Sequence, residues 1–323
     1  MPEATRKITP KNNEKIIVPV VLGPTAVGKT VFVLRAAEAL GYGVVSCDSR
    51  QIYKGMDIGT AKPSIEERKC VTHWLIDILA PSEAYSAFAF ASDALRVIRE
   101  AHAAGKKILI CGGTGLYFHL LENGAGPSGP LDGADIELRG ALQKQASERG
   151  AGELYERLRN ADPEAASKIH PNDVQRVLRA LDIIYRKGEP ISTFQEAMRP
   201  PEDIQFRTIV ITRPRDILYE RINSRVDAMF ERGLWEEFRT LRESGYTETS
   251  PGMICVGYRE LFDVEKGETS LKQAAERIKQ NSRRYAKRQM TWFRNKTKAL
   301  RYVDVRDEDE DGNFLCEWMA GWV

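Results

Sequence analysis

Gly23-Pro24-Thr25-Ala26-Val27-Gly28-Lys29-Thr30 has the pattern G-x-x-x-x-G-K-[ST]. Glycines let a backbone turn its N–H groups toward one point without a Cβ in the way. Those N–H groups, with the start of a following helix, make a concave site for an anion. Lys29 adds a mobile positive charge, and Thr30 brings a hydroxyl suited to Mg²⁺. The pattern carries this meaning only between a strand and a helix. Here an apolar run from Val18 precedes it, and Val31, Leu34, Ala37 and Leu40 follow at helical spacing. The stretch therefore binds a diphosphate or a triphosphate. Which one, and for what reaction, must come from other residues.

Asp48 closes a second short apolar run, Val44-Val45-Ser46-Cys47, and opens a loop that lasts to Pro63. Loops at the carboxyl ends of parallel strands line the ligand crevice of open α/β sheets. Asp48 can serve there as a Mg²⁺ ligand, a general base or a turn cap. Thr114, within Gly112-Gly113-Thr114-Gly115, can donate to an oxyanion or leaving group, or simply stabilise its turn. Arg221 and Arg225 stand one helical turn apart and can clamp a diphosphate; a helix arginine is otherwise a surface residue. Residues 277–298 hold nine Lys or Arg and no acid, with Tyr285, Trp292 and Phe293 interleaved. Such a face suits a nucleic acid, charges for phosphates and rings for bases; it also suits a solvated helix with an apolar stripe. A second basic cluster, Gln175-Arg176-Val177-Leu178-Arg179 followed by Arg186 and Lys187, favours the nucleic acid. A motor or switch NTPase needs another acid at a strand end. The strand Ile108-Leu109-Ile110-Cys111 ends without one, leaving only Asp48 and Asp77. That points to kinases or other diphosphate chemistry. His73 and His119 read as structural, Tyr53, Asp57 and Lys62 carry no assigned role, and no metal-ligand cluster or Ser-His-Asp set is evident.

These residues need a frame. The apolar runs near 18–22, 44–47, 108–111 and 206–212, separated by helical patterns at 28–40 and 86–104, read as parallel βαβ units. A short edge strand is expected within 73–77 and a closing strand at 299–304. Helices are expected at 214–230, 233–243 and 270–294. The Gly- and Pro-rich stretch 123–133 marks a boundary. Beyond it, 135–148, 151–159, 162–169 and 172–187 are all helical, and Arg199-Pro200-Pro201 marks the return. The expected fold is a P-loop NTPase-like parallel α/β sheet flanked by helices, with an inserted all-helical domain. Its catalytic core would be 15–125 and 200–305, its insertion 126–199, and its tails 1–14 and 306–323, the last with an acidic start. With 323 residues, 42% hydrophobic and 29% charged, and a formal charge of +2, the chain has the composition of a soluble globular protein rather than a polycation. No run approaches a membrane span or a signal peptide. Five scattered cysteines without a C-x-x-C pair argue for reduced thiols and a cytoplasmic setting.

Six motifs in this order resemble the tRNA dimethylallyltransferase family. They are Gly23–Thr30, the sixteen residues Asp48–Pro63, Gly112–Tyr117, His170–Arg176, Val256–Arg259 and Lys287–Arg294. The resemblance runs from about residue 16 to 304, and the Asp48 loop is more specific than the phosphate loop. No Cys/His finger follows residue 294, so the chain is similar to the bacterial type. The resemblance implies transfer of a dimethylallyl group from dimethylallyl diphosphate to the exocyclic amine of the adenosine 3′-adjacent to the anticodon. Gly23, Pro24, Thr25, Ala26, Val27, Gly28, Lys29, Thr30 and Arg221 would then hold the diphosphate, with Mg²⁺ on Thr30. Asp48 would be the general base, with Thr114 and Arg225 assisting the leaving group. The implied tRNA contacts are Asp48, Ser49, Arg50, Gln51, Thr114, Arg139, Gln175, Arg176, Val177, Leu178 and Arg179. They continue with Ile254, Cys255, Val256, Gly257, Tyr258 and Arg259, then Lys287, Arg288, Gln289, Met290, Thr291, Trp292, Phe293 and Arg294. The implied partners are tRNA and the prenyl diphosphate, with no membrane, for a monomeric enzyme. An adenylate prenyltransferase, a metabolite kinase and a non-catalytic RNA-binding protein are the competing readings; the insertion and the basic helix argue against a mononucleotide substrate.

Overall fold

Runs rich in Val, Ile and Leu form strands buried on both faces, as a parallel sheet requires. The computed structural model describes residues 15–124, 136–196, 199–305 and 313–321. Its strands are β1 (Ile16–Leu22), β2 (Tyr42–Cys47), β3 (His73–Trp74), β4 (Lys107–Gly112), β5 (Ile204–Thr212) and β6 (Arg301–Asp304). All six pair in parallel, in the order β3-β2-β4-β1-β5-β6. Alternate residues feed opposite faces. Val18, Val20 and Leu22 pack under α3 (Ala87–Ala103) and α4 (Gly115–Asn123). Val21, Leu109 and Ile209 pack under α1 (Lys29–Leu40) and α10 (Arg215–Glu231). The carboxyl ends of β2, β4 and β1 are neighbours, so Asp48, the Gly113 turn and the phosphate loop emerge side by side.

A third core lies beyond the strand ends. It joins Ile52, Tyr53 and Met56 of the Asp48 loop to α11 (Leu234–Glu243), α12 (Arg259–Glu265) and α13 (Leu271–Lys296). Between β4 and β5, α5 (Ile136–Arg149), α6 (Ala151–Ala161), α7 (Pro163–Lys168), α8 (Val174–Lys187) and α9 (Ile191–Glu196) have an apolar core of their own, with Leu142, Leu154, Leu158 and Leu181 at its centre. The chain leaves the sheet body at Gly124 and returns at Arg199. These two residues touch: Gly124 has φ +87, and a Cβ there would overlap the Arg199 backbone.

Several expectations change. In α1 the buried face is Phe32, Val33, Ala36 and Ala37, not the stripe of Val31, Leu34, Ala37 and Leu40. The helix is covered on a second side by α14 (Phe314–Ala320), whose Phe314 meets Phe32 edge-on at 5.4 Å. In α3 the helical repeat Phe88, Ala91, Leu95 and Ile98 predicts one buried face; Ala91 and Ile98 do lie in the core, but Phe88 and Leu95 only border it, and Phe90, Ala94 and Val97 fill it instead. The edge strand stops at Trp74 because Leu75 and Asp77 take left-handed φ values of 61° and 53°. Helices α2 (Ile65–Cys70), α9, α12 and α14 were not anticipated. For α2 the signal was present, since Ser64 and Glu67 form a capping box. The tail expected at 306–323 is corrected, since Phe314–Ala320 form α14 against the core, while the tail expected at 1–14, residues 306–312 and most of the 123–133 boundary lie outside the described residues.

Candidate active site

The phosphate loop is held from behind. Arg213 Nε donates to the Val27 carbonyl at 2.8 Å, and Arg221 Nε donates to the Ala26 carbonyl at 3.0 Å. With these carbonyls turned away, and with Ala26 at φ 64° and Gly28 at φ 103°, the loop can aim its N–H groups the other way. At the start of α1 the Val31 N–H bonds the Gly28 carbonyl at 3.1 Å, the N–H groups of Lys29 and Thr30 have no preceding helical carbonyl to reach, and the N-cap, Gly28, offers no side-chain cap. Lys29 Nζ folds back onto the carbonyls of Gly23 and Pro24, at 2.9 and 2.8 Å. Burial foremost, with Arg225 nearby adding repulsion, lowers its pKa to about 8.

Asp48 fixes its own turn. Its Oδ1 accepts the N–H groups of Arg50 at 2.8 Å and Gln51 at 3.4 Å, and among the described residues Oδ2 accepts none. The carboxylate is therefore at once a cap and a free acceptor. The loop it begins is pinned at its far end by a buried ammonium: Lys62 Nζ contacts Asp57 at 2.6 Å, Asp77 at 2.5 Å and the Tyr53 carbonyl at 2.9 Å. Its middle is pinned by Glu237 of α11. That carboxylate accepts the N–H groups of Asp57, Ile58 and Gly59 at 2.8, 2.7 and 3.0 Å, and the Tyr258 hydroxyl at 2.5 Å. Glu260, buried on α12, accepts from Gly257 N–H and Asn281 Nδ2 and so shapes the Val256–Arg259 turn.

These pieces surround one cavity of about 740 Å³. Thr25, Ala26, Lys29 and Thr30 line it from the phosphate loop, Asp48 to Gln51 from β2, and Arg225 from α10. Ile254 to Gly257, Arg259, Tyr285, Arg288 and Gln289 line it from the other side. Its charged walls are Lys29, Arg50, Arg225, Arg259, Arg277 and Arg288 against Asp48, Glu260 and Asp263, a surplus that favours anions. Cys111 and Cys255 also reach the wall, but burial pushes their thiols up to about 11 and about 12, which leaves them protonated and poorly nucleophilic at neutral pH.

The expected site residues divide accordingly. Gly23, Pro24, Val27 and Gly28 shape the loop but do not line the cavity. Arg221 braces the loop through Ala26 rather than lining the cavity. Thr114 also stands back from the wall: its hydroxyl accepts the Ser49 N–H at 3.0 Å and donates to Ser49 Oγ at 3.4 Å. It secures the Asp48 turn. Tyr258, fully buried, ties Glu237 instead of facing the cavity. Along α13 the helical period separates the expected contact set. Lys287, Arg288, Thr291 and Arg294 are exposed, whereas Gln289 and Phe293 are buried. Met290 packs on the core beneath β1, and Trp292 lies against Gly115. On α8, Gln175 and Arg176 are exposed, but Val177 and Leu178 are core residues of the insertion and cannot present side chains to a partner. Arg179 pairs with buried Asp182 at 3.3 Å. The Arg139 side chain lies outside the described residues. Sequence reasoning missed Glu237, Glu260, Arg213 and Tyr285. Only Tyr285 carried a signal, as one of the aromatics among the basic residues of 277–298.

Among the described residues no group of three or more His, Cys, Asp or Glu could hold a metal by itself, and no helix is long and apolar enough to cross a membrane. All five cysteines are free. A family model described as IPP transferase matches residues 51–296. A tRNA dimethylallyltransferase of Geobacter metallireducens is 44% identical over 291 residues, covering 90% of this chain and 93% of the relative. One from Thermotoga maritima is 42% identical over 283 residues, covering 88% and 91%. The solved tRNA isopentenylpyrophosphate transferase of Bacillus halodurans superposes with a TM-score of 0.68 at 38% identity, covering 95% of this chain and 96% of that one. A eukaryotic dimethylallyltransferase acting on tRNA superposes with a TM-score of 0.76 at 26% identity, covering 94% and 77%.

Proposed function

The chain belongs to the IPP transferase family, and from that footing we propose how its residues carry out prenyl transfer to tRNA. It is a tRNA dimethylallyltransferase, moving the dimethylallyl group of dimethylallyl diphosphate to the exocyclic amine of the adenosine 3′-adjacent to the anticodon. The observation that carries the residue assignment is the shared cavity: an anion cradle, a carboxylate with an uncommitted oxygen and a rim of basic residues all open into it.

The N–H groups from Ala26 to Thr30, with Lys29 and Arg225, hold the diphosphate and stabilise the charge it gains on leaving. The allylic C–O bond breaks and a bond from the adenine nitrogen to the same carbon forms. An aryl-type amine is a weak nucleophile, and Asp48 Oδ2 takes the proton it sheds. The target base must leave its stack to enter, and Arg50, Ile254, Arg259 and Arg288 provide a basic and apolar mouth for it. Exposed Lys287, Thr291 and Arg294 on α13, and Gln175 and Arg176 on α8, extend an RNA-contact surface outward. With both substrates in the cavity, water is excluded as a competing acceptor.

Mg²⁺ fits this donor set. Thr30 lines the cavity inside the anion cradle, and Mg²⁺ takes few protein ligands when phosphate oxygens and water complete its shell. Thr30 would hold it, and when bound it neutralises part of the diphosphate charge. Five free cysteines support a cytoplasmic setting. The test is mass analysis of unmodified tRNA before and after incubation with the protein and dimethylallyl diphosphate. A gain of one dimethylallyl group in the anticodon loop is expected; label in AMP and none in tRNA overturns the reading.

A further inference from the structure

The parallel ladder stops short of the site. Between β1 and β4 its last rung is Leu22 with Gly112, and between β2 and β4 it is Cys47 with Gly112. Beyond these rungs the three chains turn off into the phosphate loop, the Gly113 turn and the Asp48 loop, and the sheet no longer fixes their spacing. Other hydrogen bonds take over. On the β2 side, the Thr114 N–H donates to the Cys47 carbonyl at 3.2 Å, and the Thr114 hydroxyl accepts the Ser49 N–H at 3.0 Å. On the β1 side, the Thr25 N–H donates to Gln289 Oε1 at 2.9 Å, and Gln289 Nε2 donates to the Gly113 carbonyl at 2.8 Å. A carboxamide offers the same donor and acceptor as a peptide group. Gln289 is therefore one more rung between β1 and β4, supplied by a helix.

We propose that Gln289 is a positioning residue for prenyl transfer: it fixes the phosphate loop relative to the Asp48 turn, and so the leaving diphosphate relative to the attacking amine. This rests on the reading that the loop holds the prenyl diphosphate and that Asp48 is the base. The reacting nitrogen and carbon must lie about 3 to 3.5 Å apart and in line with the departing oxygen. Asp48 leaves from β2 and the diphosphate sits beyond β1, with β4 between them. Two gaps set the distance; Thr114 closes one and Gln289 the other. The rung is stiff. Gln289 is 7% exposed and stands on the inward face of α13 between Ala286 and Phe293, both fully buried. Gly113 has no room for a Cβ, which would lie 2.5 Å from Nε2. One turn on, Trp292 seats α13 a second time on the same segment, since a Cβ on Gly115 would lie 2.1 Å from its ring. The opposite face of α13 exposes Lys287, Arg288, Thr291 and Arg294. A helix that meets RNA outside thus holds the catalytic turns inside. Without Gln289 the loop keeps its braces from Arg213 and Arg221 and keeps Lys29, so it still binds phosphate, but not in register with Asp48.

The experiment measures single-turnover transfer of a labelled dimethylallyl group to unmodified tRNA with both substrates saturating. Affinities for pyrophosphate with Mg²⁺ and for tRNA are measured separately by calorimetry. Gln289→Met keeps the approximate volume and removes both hydrogen bonds. It should slow transfer by about 10- to 100-fold, with each affinity within about threefold of wild type. It should also divert part of the allylic group to water, so that dimethylallyl alcohol and diphosphate appear where wild type gives prenylated tRNA. Gly113→Ala pushes the carboxamide away from the other side and should show the same two effects, even if Gln289→Met folds poorly. The double variant should lose no more than the larger single loss, because both changes break one contact. Variant rates within about threefold of wild type, additive losses in the double variant, or losses shared equally by the rate and both affinities overturn the proposal. Wild-type transfer with unaffected variants sinks this inference alone; no transfer by wild type sinks the functional reading and this inference with it.

Discussion

Replacing Asp48 separates the two roles that its carboxylate combines. Oδ1 holds the turn through Arg50 N–H at 2.8 Å and Gln51 N–H at 3.4 Å. Asparagine keeps an oxygen there and so keeps the turn, but it cannot take a proton. Alanine loses both functions. The first hydrogen bond is well formed and the second is at the limit, so the turn contributes about 1 kcal/mol. Asp48→Ala should therefore lower the melting temperature by about 2 to 4 °C, and Asp48→Asn by less than about 1 °C. Proton transfer by a positioned base contributes roughly 10²- to 10⁴-fold, or about 3 to 5 kcal/mol of barrier. Both variants should lose that much in the single-turnover rate of labelled prenyl transfer at saturating tRNA and diphosphate. Pyrophosphate affinity should stay within about threefold, because the cradle is built from other residues. The decisive result is the asparagine variant. A rate within about tenfold of wild type would mean that Asp48 is a turn cap and that the base lies elsewhere.

Lys29 sets a pH limit on diphosphate binding. Its ammonium has a folded-state pKa of about 8, below the ordinary value, through burial first, so the charged form is complete only below that pH. Affinity for pyrophosphate should be flat below about pH 8 and fall as pH rises through it, up to about tenfold per unit; calorimetry giving a flat profile to pH 9 would refute this. Arg288→Ala should weaken tRNA binding and reduce its logarithmic salt slope by about one, with pyrophosphate binding unchanged; parallel losses in both would make the residue structural. Glu237→Gln removes acceptor capacity from three consecutive N–H groups. It should cost about 3 kcal/mol in urea unfolding and raise the KM for tRNA through the loosened Asp48 loop. Leu315 on α14 is fully buried against α1, so Leu315→Ala should cost about 2 to 5 kcal/mol; a smaller loss would mean that α14 is dispensable to the core.

The sheet was legible because its signals are local. Apolar runs of strand length, Gly-rich turns at their carboxyl ends and helical stripes between them each lie within a dozen residues, and the motifs sit where those turns do. The misses have a different physical origin. Glu237 is 178 to 180 residues from the three N–H groups it binds, and Gln289 is 264 residues from Thr25. No local pattern marks such pairs. The stretches 175–179 and 287–294 were expected as continuous contact sets, but a helix turns every 3.6 residues and must hide part of any such run. Val177, Leu178, Gln289 and Phe293 are that hidden part. The α1 stripe was displaced by one residue because α14, beyond the last recognisable motif, adds a second apolar neighbour. Arg221 and Arg213 show the same limit: an arginine that clamps an anion and one that braces the loop behind it look alike in sequence.

The contact between Gly124 and Arg199 divides the labour of the chain. The two ends of the insertion meet, the helices between them share an apolar core of their own, and none of their described residues lines the cavity. The cavity and the insertion can then be altered separately. Substitutions in α5 to α9 can reshape the outer surface without disturbing the phosphate loop, the Asp48 turn or Gln289. The sheet body, for its part, can keep its chamber unchanged while the outer faces of the appended helices change.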